Sequence, residues 1–126
     1  MRGNPVGWFE IYVDDMPRAR AFYQAVFGIQ LEALGNPDDP DLEMLSFPSD
    51  TERYGSGGTL VHMDGVAAGG NSTLVYFACE DCAIEEARVE KAGGHVQRGK
   101  MSIGPYGFVS LVIDTEGNRI GLHSMQ

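Results

Sequence analysis

Two stretches of sixteen residues, VDDMPRARAFYQAVFG (Val13 to Gly28) and CEDCAIEEARVEKAGG (Cys79 to Gly94), lie 66 residues apart and follow one plan. In each, an apolar residue that closes an alternating run leads through an acidic pair into a helical segment that stops at glycine. This repeat constrains the fold more than any other feature. A chain of 126 residues is one ordinary domain, and it has room for two such units and little else. One helix with a few strands cannot bury both faces of its own sheet, so the two copies must fold as one body.

The helical segments carry their own punctuation. In the first, Asp15 is placed to cap the N-terminus, Pro17 is tolerated in the first turn, and Ala19, Phe22, Tyr23 and Val26 recur at helical spacing. Gly28 supplies a left-handed C-cap. The second has a thinner stripe of Ile84, Ala87 and Ala92, with Gly93 or Gly94 ending it. Alternating strands, GWFEIYV and STLVYFA, precede the helices. Three shorter strand-like runs follow each: IQLEAL, LEMLSF and GTLVHM in the first half, then HVQRG, GFVSLVI and NRIGLHS in the second. The expectation is therefore an α+β fold of two βαβββ modules, about 6–63 and 72–124, joined by a linker at 64–71 and forming a curved eight-stranded cup. The segments GNPDDPD (35–41) and PSDTERYGSGG (48–58) read as exposed loops.

Charge and composition narrow the function. A formal net charge of −9 argues against a nucleic-acid surface, which needs clustered Lys and Arg, and is compatible with a cationic ligand. No apolar run approaches the ~20 residues of a membrane span, and the opening MRGNPVGWFE lacks the order of a signal peptide, so the cytoplasm is expected. The two cysteines, in CEDC, sit where a redox pair would suit, yet Glu80 and Asp81 between them raise a thiol pKa. A zinc site would need a second ligand pair, so both read as packing residues.

A βαβββ unit occurring twice, with V-x-D before the first helix (Val13, Asp15), F-Y-x-x-x-x-G closing it (Phe22, Tyr23, Gly28) and D-x-x-G before the last strand (Asp114, Gly117), resembles the vicinal oxygen chelate superfamily. That group includes lactoylglutathione lyases, extradiol dioxygenases, bleomycin-binding resistance proteins and methylmalonyl-CoA epimerase. The likeness covers about Val6 to His123. WFEIYVDDM, YGF and DTEGNRIGLHS are similar to a bacterial glyoxalase-related branch.

The resemblance implies a metal in many members, held by carboxylate and imidazole side chains from corresponding strands and chelating two substrate oxygens as a Lewis acid. Carried over by motif, the first-strand ligand position is Trp8, its counterpart in the second module is Leu74, and the last-strand position is Gly121. None of these binds a metal, so no metal and no cofactor is expected at the family's own positions. Residues two apart on a strand share a face. If Trp8 and Gly121 face the cup, then Glu10, Tyr12 and His123 do too, and His62 on GTLVHM is a further candidate. Glu10, His62 and His123 could assemble an acid–base group or a metal site displaced by one step.

Trp8, Tyr12, Tyr76 and Gly121, with Tyr106 and Phe108 at the rim, make the expected lining for a small, aromatic or hydrophobic ligand. The sequence thus supports a glyoxalase/bleomycin-resistance-like binding protein without the usual metal. The alternative is a lyase-, isomerase- or dioxygenase-like enzyme using Glu10 with His62 or His123. Edge strands need cover, so a homodimer is expected, with no nucleic-acid or membrane partner.

Overall fold

The computed structural model describes residues 4, 6, 8–34, 41–70 and 72–126. The expected loop 35–41 lies outside the described residues except for Asp41, as does Asn71 of the linker. The first module contains β1 (Trp8–Tyr12), α1 (Met16–Phe27), β2 (Glu32–Ala33), β3 (Leu42–Ser46) and β4 (Gly57–Met63). The second contains β5 (Val75–Ala78), α2 (Cys82–Val89), β6 (His95–Ser102), β7 (Phe108–Ile113) and β8 (Arg119–Ser124).

The strands form two four-stranded sheets of equivalent order, β1-β4-β3-β2 and β5-β8-β7-β6. In each, the first strand runs parallel to the last and the remaining pairs are antiparallel. The eight strands are thus two separate sheets, not one closed sheet, with β1 and β5 as edge strands.

Both helices begin as their sequences dictate. Asp15 and Asp81, at equivalent positions of the repeat, take extended backbone and accept from Arg18 N and Ala83 N respectively. Gly28 ends α1 in the left-handed region at φ 64°, its N–H donating to Gln24 O. Helix α2 closes less sharply: Glu90 stays helical, Gly93 turns at φ 96°, and the Gly94 N–H returns to Val89 O.

One core joins the modules. Ile11 and Leu60 of the first sheet and Val112, Ile120 and Leu122 of the second pack with Phe22, Tyr23 and Val26 of α1 and Val89 of α2. Phe77, from β5, lies 4.7–6.1 Å from the rings of Phe9, Tyr23, Phe27 and Phe47 of the first module. This aromatic cluster is buried only where the two modules meet, which ties them into one core.

The second strand is shorter than IQLEAL suggests. Arg20 and Gln24 of α1 reach across to the backbone of Leu31, Gln24 Oε1 accepting from its N–H at 3.0 Å and Arg20 Nη2 donating to its carbonyl at 3.3 Å. With both groups taken by helix side chains, strand pairing starts only at Glu32. Strand β6 is longer than HVQRG, running on to Ser102 through register shifts at Val96/Arg98 and Arg98/Met101.

Candidate functional site

With the helices covering one face of both sheets, the alternation of β1 turns Trp8, Glu10 and Tyr12 to the other face, while Ile11 enters the core. These three side chains form a fixed group. The Tyr12 hydroxyl donates to Glu10 Oε1 at 3.0 Å, and the Trp8 indole N–H approaches Glu10 Oε2 at 3.4 Å. The hydrogen bond to Glu10 pushes the Tyr12 phenol pKa up, so Tyr12 remains a donor.

The group forms part of the wall of a cleft of about 870 Å³ shared by the two edge strands. From β5 come Leu74 just before the strand and Tyr76 within it; Tyr54, Val66 and Ala67 contribute from loops, and Arg119 from β8. Trp8 and Tyr76 remain about half exposed, at 45% and 49%, and Tyr54 is almost fully so at 92%. Tyr76 lies flat against its parallel partner Gly121: a Cβ there would coincide with the ring. Gly121, expected in the lining, is instead the surface on which Tyr76 rests.

The strand register also locates a position that motif spacing could not. Glu10 and Tyr76 are equivalent in the repeat, and their partners are Thr59 and Gly121. Thr59 is thus the first-module counterpart of Gly121. The four corresponding positions carry Trp8, Thr59, Leu74 and Gly121, three without a donor atom and one with a neutral hydroxyl. That donor set does not fit a divalent metal. Thr59 is fully buried and its Oγ1 has no hydrogen-bond partner.

A displaced triad is not assembled either. His62 is paired with Glu43 on β3 and shares the face of Leu60, so it lies on the helix side of the sheet, away from Glu10. His123 shares the face of Gly121, but its Nε2 lies 2.7 Å from the carbonyl of Tyr106, which can only accept, so Nε2 carries a proton and donates there. It does not reach Glu10, whose partners are Trp8 and Tyr12. Among the described residues no three His, Cys, Asp or Glu side chains converge in a way that could hold a metal. Nor do the rim aromatics join the cleft. Tyr106 is exposed in a short 3₁₀ turn, and Phe108 packs against the helix-side core with the Lys100 ammonium 4.7 Å above its ring.

Beside the cleft, the DTEGN turn before β8 does more than reverse the chain. Asp114 Oδ1 accepts from the N–H groups of Glu116 and Asn118 at 2.8 Å each, and Asp114 Oδ2 accepts from the buried Tyr23 hydroxyl at 2.7 Å. Glu116, its side chain fully buried, accepts from Asp14 N, Asp15 N, the Thr115 hydroxyl and twice from Arg18. Burial pushes its carboxyl up, but the Arg18 hydrogen bond, with those from Asp15, Thr115 and Asp14, outweighs it and holds the pKa at about 2. Asn118 donates to Tyr12 O at 2.9 Å and accepts from Gly69 N at 2.7 Å. The turn of one module thus fixes the strand-to-helix junction of the other, and with it the position of Tyr12.

A polar run such as DTEG gives no sign in the sequence that it will be buried. Arg119, outside the expected lining, reaches the cleft by the alternation Arg119, Gly121, His123. Tyr54 sits on a loop whose course no periodicity reveals.

A family model for the Glyoxalase/Bleomycin resistance protein/Dioxygenase superfamily matches residues 6–122. Among solved structures, glyoxalase I from Leishmania major, described as trypanothione-dependent, superposes with a TM-score of 0.73 at 20% identity, over 98% of this chain and 88% of that one. Glyoxalase I from Zea mays gives 0.73 at 19% identity over 96% of this chain, which spans only 46% of the maize protein. A glyoxalase/bleomycin resistance protein from Albidiferax ferrireducens gives 0.64 at 20% identity, covering 94% and 98% of the two chains. At these identities the likeness is one of fold. No curated protein matches the chain.

Proposed function

Since the chain belongs to the Glyoxalase/Bleomycin resistance protein/Dioxygenase superfamily, we propose that it is a small-molecule binding protein of the metal-independent kind. Its ligand is aromatic or hydrophobic and occupies the cleft between β1 and β5. The observation that carries this reading is the pairing of two facts on one surface. The four positions where a metal would be held offer no adequate donors, and the same surface presents the half-exposed rings of Trp8 and Tyr76. The volume of about 870 Å³ is in the range of small-molecule sites. No cofactor is required for binding of this sort.

We further propose that the protein works in the cytoplasm as a homodimer, a second copy covering the apolar residues around the cleft mouth. In support, no helix among the described residues is long and apolar enough to cross a membrane. Light scattering should give twice the 13.7 kDa chain mass.

Benzyl alcohol is a suitable neutral probe, and Trp8, the only tryptophan of the chain, reports on the cleft by its fluorescence. The expected result is a saturable change in emission that survives dialysis against a chelator. One equivalent of zinc, nickel, manganese or iron in the purified protein, lost together with probe binding on Glu10→Gln, would overturn the reading.

A further inference from the structure

The Glu10 carboxylate stands in the cleft without a basic partner: both its oxygens are engaged, but by the neutral donors Tyr12 and Trp8, and among the described residues it forms no ion pair. Taking the cleft as the binding site proposed above, an apolar ligand settling there would strip water from this carboxylate and return nothing for it. Burying an uncompensated charge is the costliest event in binding. A ligand that brings a positive charge avoids that penalty.

The rings point the same way. A cation is attracted to the faces of Trp and Tyr, and this attraction strengthens as water is excluded. Trp8 stands beside Glu10, Tyr76 occupies the equivalent position on the facing edge strand, and Tyr54 is exposed at the margin. The only basic side chain on the cleft wall among the described residues is Arg119, on β8 of the second module. It repels a cation from that side, so the charged centre belongs at the first-module wall. The chain's net charge of −9 favours the approach of cations from solution.

We infer that the cleft is a site for an organic cation, an ammonium or amidinium centre on an aromatic or apolar body, seated on the Glu10 carboxylate beside Trp8 with Tyr76 across the cleft. The two Glu10 hydrogen bonds then have a purpose: they hold the carboxylate at the wall in a fixed orientation without neutralising it.

Three probes of similar size separate the possibilities: benzyltrimethylammonium, benzyl alcohol and phenylacetate, each titrated against Trp8 fluorescence and by calorimetry. The cation should bind about tenfold more tightly than the neutral alcohol, with the anion weakest, and added salt should weaken the cation selectively. Glu10→Gln, which can still accept from Tyr12, should erase the cation's advantage by weakening the cation and tightening benzyl alcohol, for which no charge is then left to desolvate. If wild type binds alcohol and cation equally, or the variant keeps the preference, the cation assignment falls while the small-molecule reading stands. If neither probe gives a saturable response, both fall together.

Discussion

The carboxylate of Glu116 closes on the guanidinium of Arg18, 98 residues away in the chain, through hydrogen bonds of 2.7 and 3.0 Å. This contact joins the second module's last turn to the first module's helix, and it makes the fold sensitive to acid. The Glu116 pKa is about 2 in the folded chain against an ordinary 4.5. A depressed folded pKa gives stability that is fully present above the unfolded value and is lost as pH falls through the interval down to the folded value. With Arg18 half exposed and partly screened, the contribution at neutral pH is about 2–3 kcal/mol. Glu116→Gln should lose roughly that amount, and the gap from wild type should narrow from about pH 4.5 towards pH 2. Urea unfolding of both proteins across that range is the measurement; a gap that does not change with pH would mean the ion pair is not its source.

The Tyr23 hydroxyl, fully buried and donating to Asp114, belongs to the same network. Burial, then the Asp114 charge, push its pKa well above the ordinary 10, so at neutral pH it is a donor. Tyr23→Phe removes one hydrogen bond to a carboxylate and should cost about 1.5–3 kcal/mol, read from the urea midpoint with an unchanged slope. Asp114 keeps three other donors, from Glu116, Asn118 N and Asn118 Nδ2, so the turn itself should persist.

Gly121→Ala tests the glycine's role directly. A Cβ at that position meets the Tyr76 ring, which must swing into the cleft; overpacking of this kind costs about 1–3 kcal/mol. Benzyl alcohol binding should weaken as well. At Gly57, the partner of Trp8, a Cβ would meet Trp8 and Ser49 only at 3.2–3.3 Å, so Gly57→Ala should be milder in both respects. Equal effects at the two glycines would contradict the stacking of Tyr76 on Gly121.

The repeat, the helix caps and the strand faces were legible because each is written locally: an Asp that caps, a Gly that ends a helix, an alternation of period two. Trp8, Glu10 and Tyr12 reach the cleft by that alternation alone. What local pattern could not supply was relation between strands. His62 depended on the pairing of β4 with β3, and it lies on the helix side. Phe108 was expected at the rim from its neighbourhood of glycines, yet its partner is Ser124 on the core side. The burial of Glu116 and Asn118 has no local sign in the sequence because their partners, Asp14, Arg18 and Tyr12, are about a hundred residues away.

His123 was expected to meet Glu10 or a ligand, and its contact with the Tyr106 carbonyl changes what its loss should do. His123→Phe should leave probe binding in the cleft within about twofold while costing about 1 kcal/mol, because one carbonyl loses its donor. The turn it holds, where the Gly107 N–H returns to Gly104 O, should exchange its amide protons faster. A large loss of probe affinity with unchanged turn protection would place the imidazole at the ligand instead.

The thiols of CEDC offer the last test. Cys82 is fully buried at the start of α2, and Cys79 is half-buried, its pKa pushed up to about 12 by burial first and then by the nearby Glu85. Since the thiolate is the reactive species, Cys79 at mildly alkaline pH is ionised only about one part in ten thousand. Iodoacetamide should therefore label neither cysteine in the native protein over a time that labels both fully in denaturant. Glu85→Gln removes the second cause but not the first, so it should speed labelling of Cys79 only modestly. Rapid modification of native Cys79, or a disulfide between Cys79 and Cys82 in protein purified without reductant, would show that the pair has the redox chemistry its burial and acidic surroundings oppose.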